Sequence, residues 1–510
     1  MSVPIGPEDA TSIRVTSAPD SLANFSSTYS SQSCRRSLKK IHYHVILPEI
    51  TPKRFKKLQS SREAAANDAE FTRALVALFT LLSAWEAEEE QNAGEDAASA
   101  PALTGVEAGS VSAAEVGTRE DTTGIALILS ASAPADLDEA LHASLRHRHD
   151  GPPIWDMRND FKYLRLDPSI LGTAGLPQTR AVTALDLRSE WPRAGRRLHP
   201  SVITSLAAAL PSMVNVQWDC LMPPRRLEAV RREIRSSLAT TLRMAQLDQV
   251  TVLKIYLEDG DPRDQRVEPG DFSEEDDNSD DALSVGVGRV LKLPNITHCE
   301  LSGFWTLDPV TVFAAGVSTG LVFGQALQTV RIESTGTTWR GQWLMTGDED
   351  KASEDEGSEA PTDSDASEAA FDSADSDTSD FAPPGGRAWA REDGDFPQFS
   401  FRNRPDDGVF VPHLLPLVSC LPAPEDSSSP ALRSLTYVLE MSVAFYVEYY
   451  AAGVQSESAR MRSVTEEDVS RPRWHLVAMD GVDEEWAVPE HLIRSMESGG
   501  AIVSIFGLQS

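Results

Sequence analysis

A short apolar run returns along this chain at intervals of about 30 to 45 residues, with helix-forming sequence in many of the gaps, and this recurrence limits the possible folds more than any single motif. Ile125–Leu129, Tyr163–Leu166, Val182–Leu187, Val214–Trp218 and Val252–Leu257 read as short strands, several alternating apolar and polar residues. Ile296–Leu301, Leu327–Ile332, Leu435–Leu439, Trp474–Val477 and Ile502–Ile505 continue the series. Between them, Pro200–Leu210 opens with proline where a first helical turn tolerates it. In Arg225–Gln246, Leu227, Val230, Ile234, Leu238 and Leu242 stand at helical spacing on one stripe, with arginines on the other face. Upstream, Asn67–Glu70 precedes Phe71, Leu75, Leu78, Phe79, Leu82 and Trp85, a third amphipathic helix. Parallel strands need such crossovers. The pattern therefore predicts an α/β chain, either doubly wound or barrel-like, or a solenoid of stacked units.

Four segments interrupt the recurrence. Residues 1–36 are rich in Ser and Thr, lack sustained periodicity and read as a disordered tail. Residues 87–123 and 258–281 read as flexible loops, and residues 346–383 as a disordered acidic insert. Gly347–Phe381 alone holds 14 carboxylates against one lysine, so much of the net charge of -32 belongs to one segment. A solenoid tolerates variable spacing and large inserts, because a loop can grow without disturbing neighbouring units. Val182–Leu187 and its relatives at Gln249–Leu257 and Gln325–Ile332 follow a degenerate L-x-x-L-x-L pattern. The expected fold is thus an irregular leucine-rich-repeat-like solenoid over 37–345, completed by C-terminal repeats in 384–510.

Several stretches resemble a known family together. Leu38–Leu47 (LKKIHYHVIL), Glu70–Leu75, Leu78–Glu86, Gly124–Ser132, Tyr163–Leu166, Thr179–Arg188 and Leu198–Met213 resemble filamentous-fungal F-box-like proteins of unknown function, over roughly residues 38–340. Members of that family typically begin with an F-box, a helical module that docks on the adaptor of a cullin-RING ubiquitin ligase. Here a Ser-rich tail stands where that module is expected, so the F-box is missing from the reading. The resemblance implies a substrate-recognition region and a protein partner, with the ligase adaptor as a further partner where an F-box exists upstream.

The strongly acidic balance repels phosphate backbones and anionic bilayers, which argues against nucleic-acid or membrane partners. With no apolar span of membrane length and no secretory signal pattern, the expected location is cytoplasm or nucleus. Cys34, Cys220, Cys299 and Cys420 stand far apart, as reduced and mostly buried thiols would. His42 and His44 share one face of a strand without a third ligand at short spacing, and His142, His147 and His149 lie in a polar, arginine-containing stretch. Gly286 and Gly288 before Arg289 supply only a fragment of a phosphate-binding fingerprint. No catalytic, metal or cofactor residues are assigned. Trp191 and Trp305 follow strands where loops could grip a partner, while Trp155, Trp218, Trp339, Trp343 and Trp474 read as core or capping residues. Arg225, Arg226, Arg231, Arg232, Arg235 and Arg243 form a basic helix face, expected to be solvated, with an acidic partner or the chain's own acidic inserts as the alternatives. Ser353 and Thr362 each precede a carboxylate by three residues, the spacing acidophilic kinases accept. The functional expectation is a non-enzymatic protein-interaction scaffold; the alternative is an α/β hydrolase or transferase with a non-contiguous active site.

Overall fold

A computed structural model describes residues 11–507 apart from 52–53, 55–58, 100–123, 138–161, 189–195, 274–279, 314–322, 352, 355–391, 396–397, 422–431, 441–443, 457–468, 480–481, 484 and 499. Its strands are β1 (Ser12–Thr16), β2 (Lys40–Ile46), β3 (Ile125–Ser132), β4 (Val182–Leu187), β5 (Asn215–Leu221), β6 (Val252–Glu258), β7 (His298–Trp305) and β8 (Thr329–Thr335). After these come β9 (Met345–Gly347), β10 (Ser353–Glu354), β11 (Phe399–Ser400), β12 (Arg402–Pro405), β13 (Ser434–Glu440), β14 (Phe445–Tyr450), β15 (Arg473–Ala478) and β16 (Ile502–Phe506). The helices are α1 (Pro19–Thr28), α2 (Gln32–Ser37), α3 (Ser61–Ser99), α4 (Pro168–Leu171), α5 (Ser201–Ala209), α6 (Glu228–Met244), α7 (Ala282–Leu291), α8 (Pro309–Phe313), α9 (Phe410–Ser419) and α10 (Glu490–Glu497).

Twelve strands make one sheet in the order β1-β2-β3-β4-β5-β6-β7-β8-β13-β14-β15-β16, so every strand pairs with its chain neighbours once the small hairpins β9–β12 and β10–β11 are set aside. The chain is mixed α/β with a large, mostly parallel sheet. Within this sheet all pairings are parallel except β13–β14 and β14–β15, which makes β14 a single reversed strand. The reversal departs from the all-parallel expectation, and it has a local cause: only residues 441–444 separate β13 from β14, too few for the crossover a parallel pair requires.

Alternation within the strands sets the two faces of the sheet. Val216, Trp218 and Cys220 of β5, Leu253, Ile255 and Leu257 of β6, and Cys299 and Leu301 of β7 are buried, and they join the helical stripe Ile234, Leu238 and Leu242 in one core cluster. The helices follow chain order too: α5 packs on α6, α6 on α7, α7 on α8, α8 on α9 and α9 on α10. Gly286 and Gly288 make this row possible. A Cβ at Gly286 would lie 3.1 Å from Ala239 O of α6, and one at Gly288 would lie 3.1 Å from Val312 O of α8. Their role in α7 is close helix packing, which explains glycines that carry no phosphate loop. Where β14 reverses, Phe410, Phe445 and Trp486 fill the core edge to face, with centroids 5.1 to 5.9 Å apart.

Several expectations are corrected. Residues 11–37 are ordered rather than a disordered tail: β1 pairs in parallel with β2, and Phe25 and Tyr29 pack on Trp85, with the Phe25 ring 5.1 Å from the indole. Few apolar residues suffice there because the sheet edge and α3 supply the remaining surface. The helix expected to start at Asn67 begins at Ser61. Ser60 and Glu63 close a reciprocal capping box, with Glu63 N donating to Ser60 Oγ and Ser60 N to Glu63 Oε2. It runs on to Ser99, into the segment read as a loop from 87, and 100–123 lie outside the described residues. The segment 259–273 of the second expected loop is tied down: Asp264 N donates to Gly394 O, Gln265 N to Phe399 O and Phe272 N to Trp339 O. At the start of the insert expected over 346–383, Thr346 and Gly347 belong to β9, which pairs with β12, and Ser353 and Glu354 form β10, which pairs with β11. Tyr163–Leu166 makes only a single bridge, Leu164 to Leu198, in place of a strand.

Candidate functional site

The face of the sheet away from the helices carries polar side chains in straight rows set by register. One row runs Arg14, His42, Ile128, Asp186, Gln217, Lys254, Glu300, Arg331 and Thr436 across β1 to β8 and β13. Between β6 and β8 these side chains reach solvent. Lys254 and Arg331 are 42 % and 41 % exposed, and each is tied to a carboxylate on the same face: Lys254 Nζ lies 2.8 Å from Glu300 Oε2, and Arg331 Nη2 2.5 Å from Glu333 Oε1. Burial works to raise the Glu300 carboxyl, but Lys254 and His298 outweigh it and hold it below the ordinary value. On β13 to β15 the same face is closed, for Val438, Glu448, Tyr450, Arg473 and His475 are all buried.

Within the open part, β7 bulges. Gly303 has φ +89°, and the register with β8 shifts between Leu301 and Trp305. A Cβ at Gly303 would fall 2.3 Å from Leu257 O and 3.0 Å from Cε2 of Tyr256, so only glycine fits against β6 at this point. The freed Gly303 N–H donates to Glu333 Oε2 at 2.6 Å. Tyr256 is the most exposed aromatic side chain among the described residues, at 37 %. Asp219 is its register partner on β5, and Glu258 follows it on the same face of β6. Burial first, then the carboxylates of Glu258, Asp219, Glu440 and Glu333, push the Tyr256 hydroxyl above its ordinary value. Register and bulge thus place one solvent-reaching tyrosine among four carboxylates.

A second polar cluster closes the C-terminal ends of β5, β6 and β7 on the helix side. Arg231 donates to Asp259 Oδ1 at 2.6 Å, and Arg235 donates to both oxygens of Asp281 at 2.9 and 3.0 Å and to Thr306 O at 2.8 Å, with its guanidinium 4.6 Å from the Phe272 ring. Arg225 bonds Asp393 O and Gly260 O, and Arg226 bonds Asp393. Asp261 accepts from Gly336 N and Thr337 Oγ1, and burial outweighs these donors to push it up to about 6. This cluster pairs carboxylates with guanidiniums. Its geometry fits a clamp between the 259–271 segment and α6.

The arginine face of α6 is therefore not a solvated one: Arg231 and Arg235 are buried against the chain's own acidic segment, while Arg243 at the helix end is exposed. Trp305, expected to grip a partner, is fully buried, and Trp218, Trp339 and Trp474 are core residues as well. Trp343 is half-buried under Arg402 and donates to Val267 O. His44 bridges two serines of β3, Ser130 at 2.9 Å and Ser132 at 3.1 Å, and burial lowers its basicity. Among the described residues no group of three or more His, Cys, Asp or Glu is placed to hold a metal ion. Cys220 and Cys299 are buried with thiols pushed up to about 12, Cys420 is half-buried and Cys34 exposed. Trp155, Trp191, His142, His147, His149 and Thr362 lie outside the described residues, and Ser353 begins β10. No helix of the described residues is long and apolar enough to cross a membrane.

Comparison with protein-family models, with curated proteins and with solved structures finds no match.

Proposed function

We propose that this chain is a non-enzymatic protein-interaction scaffold: an irregular leucine-rich-repeat-like solenoid whose open sheet face binds a protein partner. The observation that carries the reading is serial order. The sheet strands pair with their chain neighbours from one edge to the other, and the helices α5 to α10 pack in chain order as well. Stacked units generate that order, whereas a doubly wound sheet reverses at a switch point and a barrel joins its first strand to its last. Among the described residues the helices α5 to α10 pack in a row on the core side of the sheet, and the polar rows on the opposite face stay open between β6 and β8. The resemblance to fungal F-box-like proteins makes substrate selection for a ubiquitin ligase, in cytoplasm or nucleus, the corresponding role.

Photo-crosslinking tests the reading. A benzoyl-phenylalanine placed at Gln217 or Lys254 on the open face should trap partners in cells, and one at Arg243 or Met244 at the end of α6 should not. Equal trapping from both sides would defeat the assignment of the face. Recovery of the cullin adaptor alongside would support the ligase role, and its repeated absence would confine the protein to adaptor-independent binding.

A further inference from the structure

We propose that the segment bound on the open face is basic, an extended peptide that lays an arginine or lysine over the Tyr256 ring between Asp219, Glu258, Glu333 and Glu440. The inference rests on the reading of this face as a binding surface and adds the chemistry of the occupant. Three features converge on one spot. The glycine bulge brings the edge of the Tyr256 ring against β7, where a Cβ at Gly303 would meet Cε2 at 3.0 Å, and 37 % of the residue stays open to solvent. Flat aromatic faces attract guanidinium and ammonium groups, the more so where carboxylates flank them. The cations on this part of the face are committed nearby, Lys254 to Glu300 and Arg331 to Glu333.

Charge complementarity selects the occupant. Burial, Glu333 and the weaker opposing pull of Arg331 leave Glu440 above its ordinary value, so a cation from a partner would relieve repulsion between the two carboxylates. An acidic or phosphorylated peptide would meet that repulsion instead. Adjacent strands lie about 4.8 Å apart, so a peptide crossing β5 to β8 passes over Tyr256 and within side-chain reach of the carboxylates on either side.

The test uses the full chain and a fluorescein-labelled twelve-residue peptide of alternating arginine and serine, read by anisotropy at 0.15 M salt. Tyr256→Ala should weaken binding about tenfold, and Glu258→Gln with Glu440→Gln should weaken it similarly while flattening its salt dependence. A glutamate–serine peptide should not bind. Both variants alter solvent-reaching side chains, and unchanged thermal unfolding confirms that they fold. Undiminished binding by both variants would overturn the proposal, because it would assign the peptide to the acidic 346–383 segment. Failure of the arginine peptide to bind would overturn it as well. Either result leaves crosslinking from Gln217 and Lys254 free to succeed, so loss of the basic partner and loss of the binding face are told apart.

Discussion

The Arg235–Asp281 pair offers a quantitative check on how the helix row is fastened to the sheet. Both side chains are under a tenth exposed, and the guanidinium donates to both carboxylate oxygens and to Thr306 O. Asp281 also caps α7, accepting from Ser284 N at 3.0 Å and Ser284 Oγ at 2.5 Å. Arg235→Ala strands a buried carboxylate without its counterion, a change that costs about 3–5 kcal/mol. Asp281→Ala strands the guanidinium and adds the loss of the cap, about 1 kcal/mol more. Because the two losses share one interaction, the double variant should be less destabilised than the sum of the singles, with a coupling of up to about 3 kcal/mol. Urea unfolding followed by tryptophan fluorescence supplies the three differences, and hydrogen exchange at Leu283 and Ser284 reports the α7 cap directly. Strict additivity, or a loss below about 1 kcal/mol for Arg235→Ala, would mean that water screens the pair and that the clamp does not hold the helix row.

Four further outcomes follow from the same geometry. His413 is buried and hydrogen-bonded to Tyr437 at 2.8 Å, and burial lowers it from 6.5 to about 3. Below pH 6.5 the unfolded chain takes up a proton that the folded chain refuses, so stability falls toward pH 3 by up to about 1.4 kcal/mol per pH unit; His413→Gln should flatten that slope in acid titrations of unfolding, and an unchanged slope would remove the assignment. Gly303→Ala faces both φ +89° and a carbonyl 2.3 Å away, so it should destabilise by at least about 1–3 kcal/mol and quench peptide binding together; wild-type thermal unfolding would deny the bulge. Phe25→Ala removes a ring packed on Trp85 and should cost about 3–5 kcal/mol locally, seen as faster tryptic cleavage at Arg35 and Arg36, whereas a free N-terminal tail would be cut at the same rate with or without the ring. Cys34 is exposed while Cys220 and Cys299 are buried, so brief treatment of the native chain with a maleimide should label Cys34 well before either of the other two, a ranking that mass spectrometry of tryptic peptides checks.

Much of the fold is legible in the sequence, because each central strand buries alternate residues and so carries its own signal. Val216, Trp218 and Cys220, or Leu253, Ile255 and Leu257, announce themselves without knowledge of any neighbour. The first strand does not: β1 is five residues long, sits among Ser and Thr, and gains its stability from pairing with β2. The reversed strand escapes for a different reason, since Phe445–Tyr450 has strand composition but lacks the helical spacer that marks the other units. The candidate site is less legible still. Asp219, Tyr256, Glu333 and Glu440 come from four strands spread over more than two hundred positions, and only register brings them together. The isolated glycine of Ser302-Gly303-Phe304 was the one available signal, as a glycine within a strand pattern often marks a bulge. Tryptophan position misled, since Trp305, read as following a strand, is the last residue of β7 and closes the core rather than facing a partner.

Serial pairing also bears on how the molecule would come apart under tension. The two edge strands lie near opposite ends of the described chain, and each of the others is held by the strand before it and the strand after it. A pull between the termini would therefore load the outermost ladders first and strip the sheet inward one rung at a time. The force record should show a staircase of small steps, each as long as one crossover unit, in place of a single rupture.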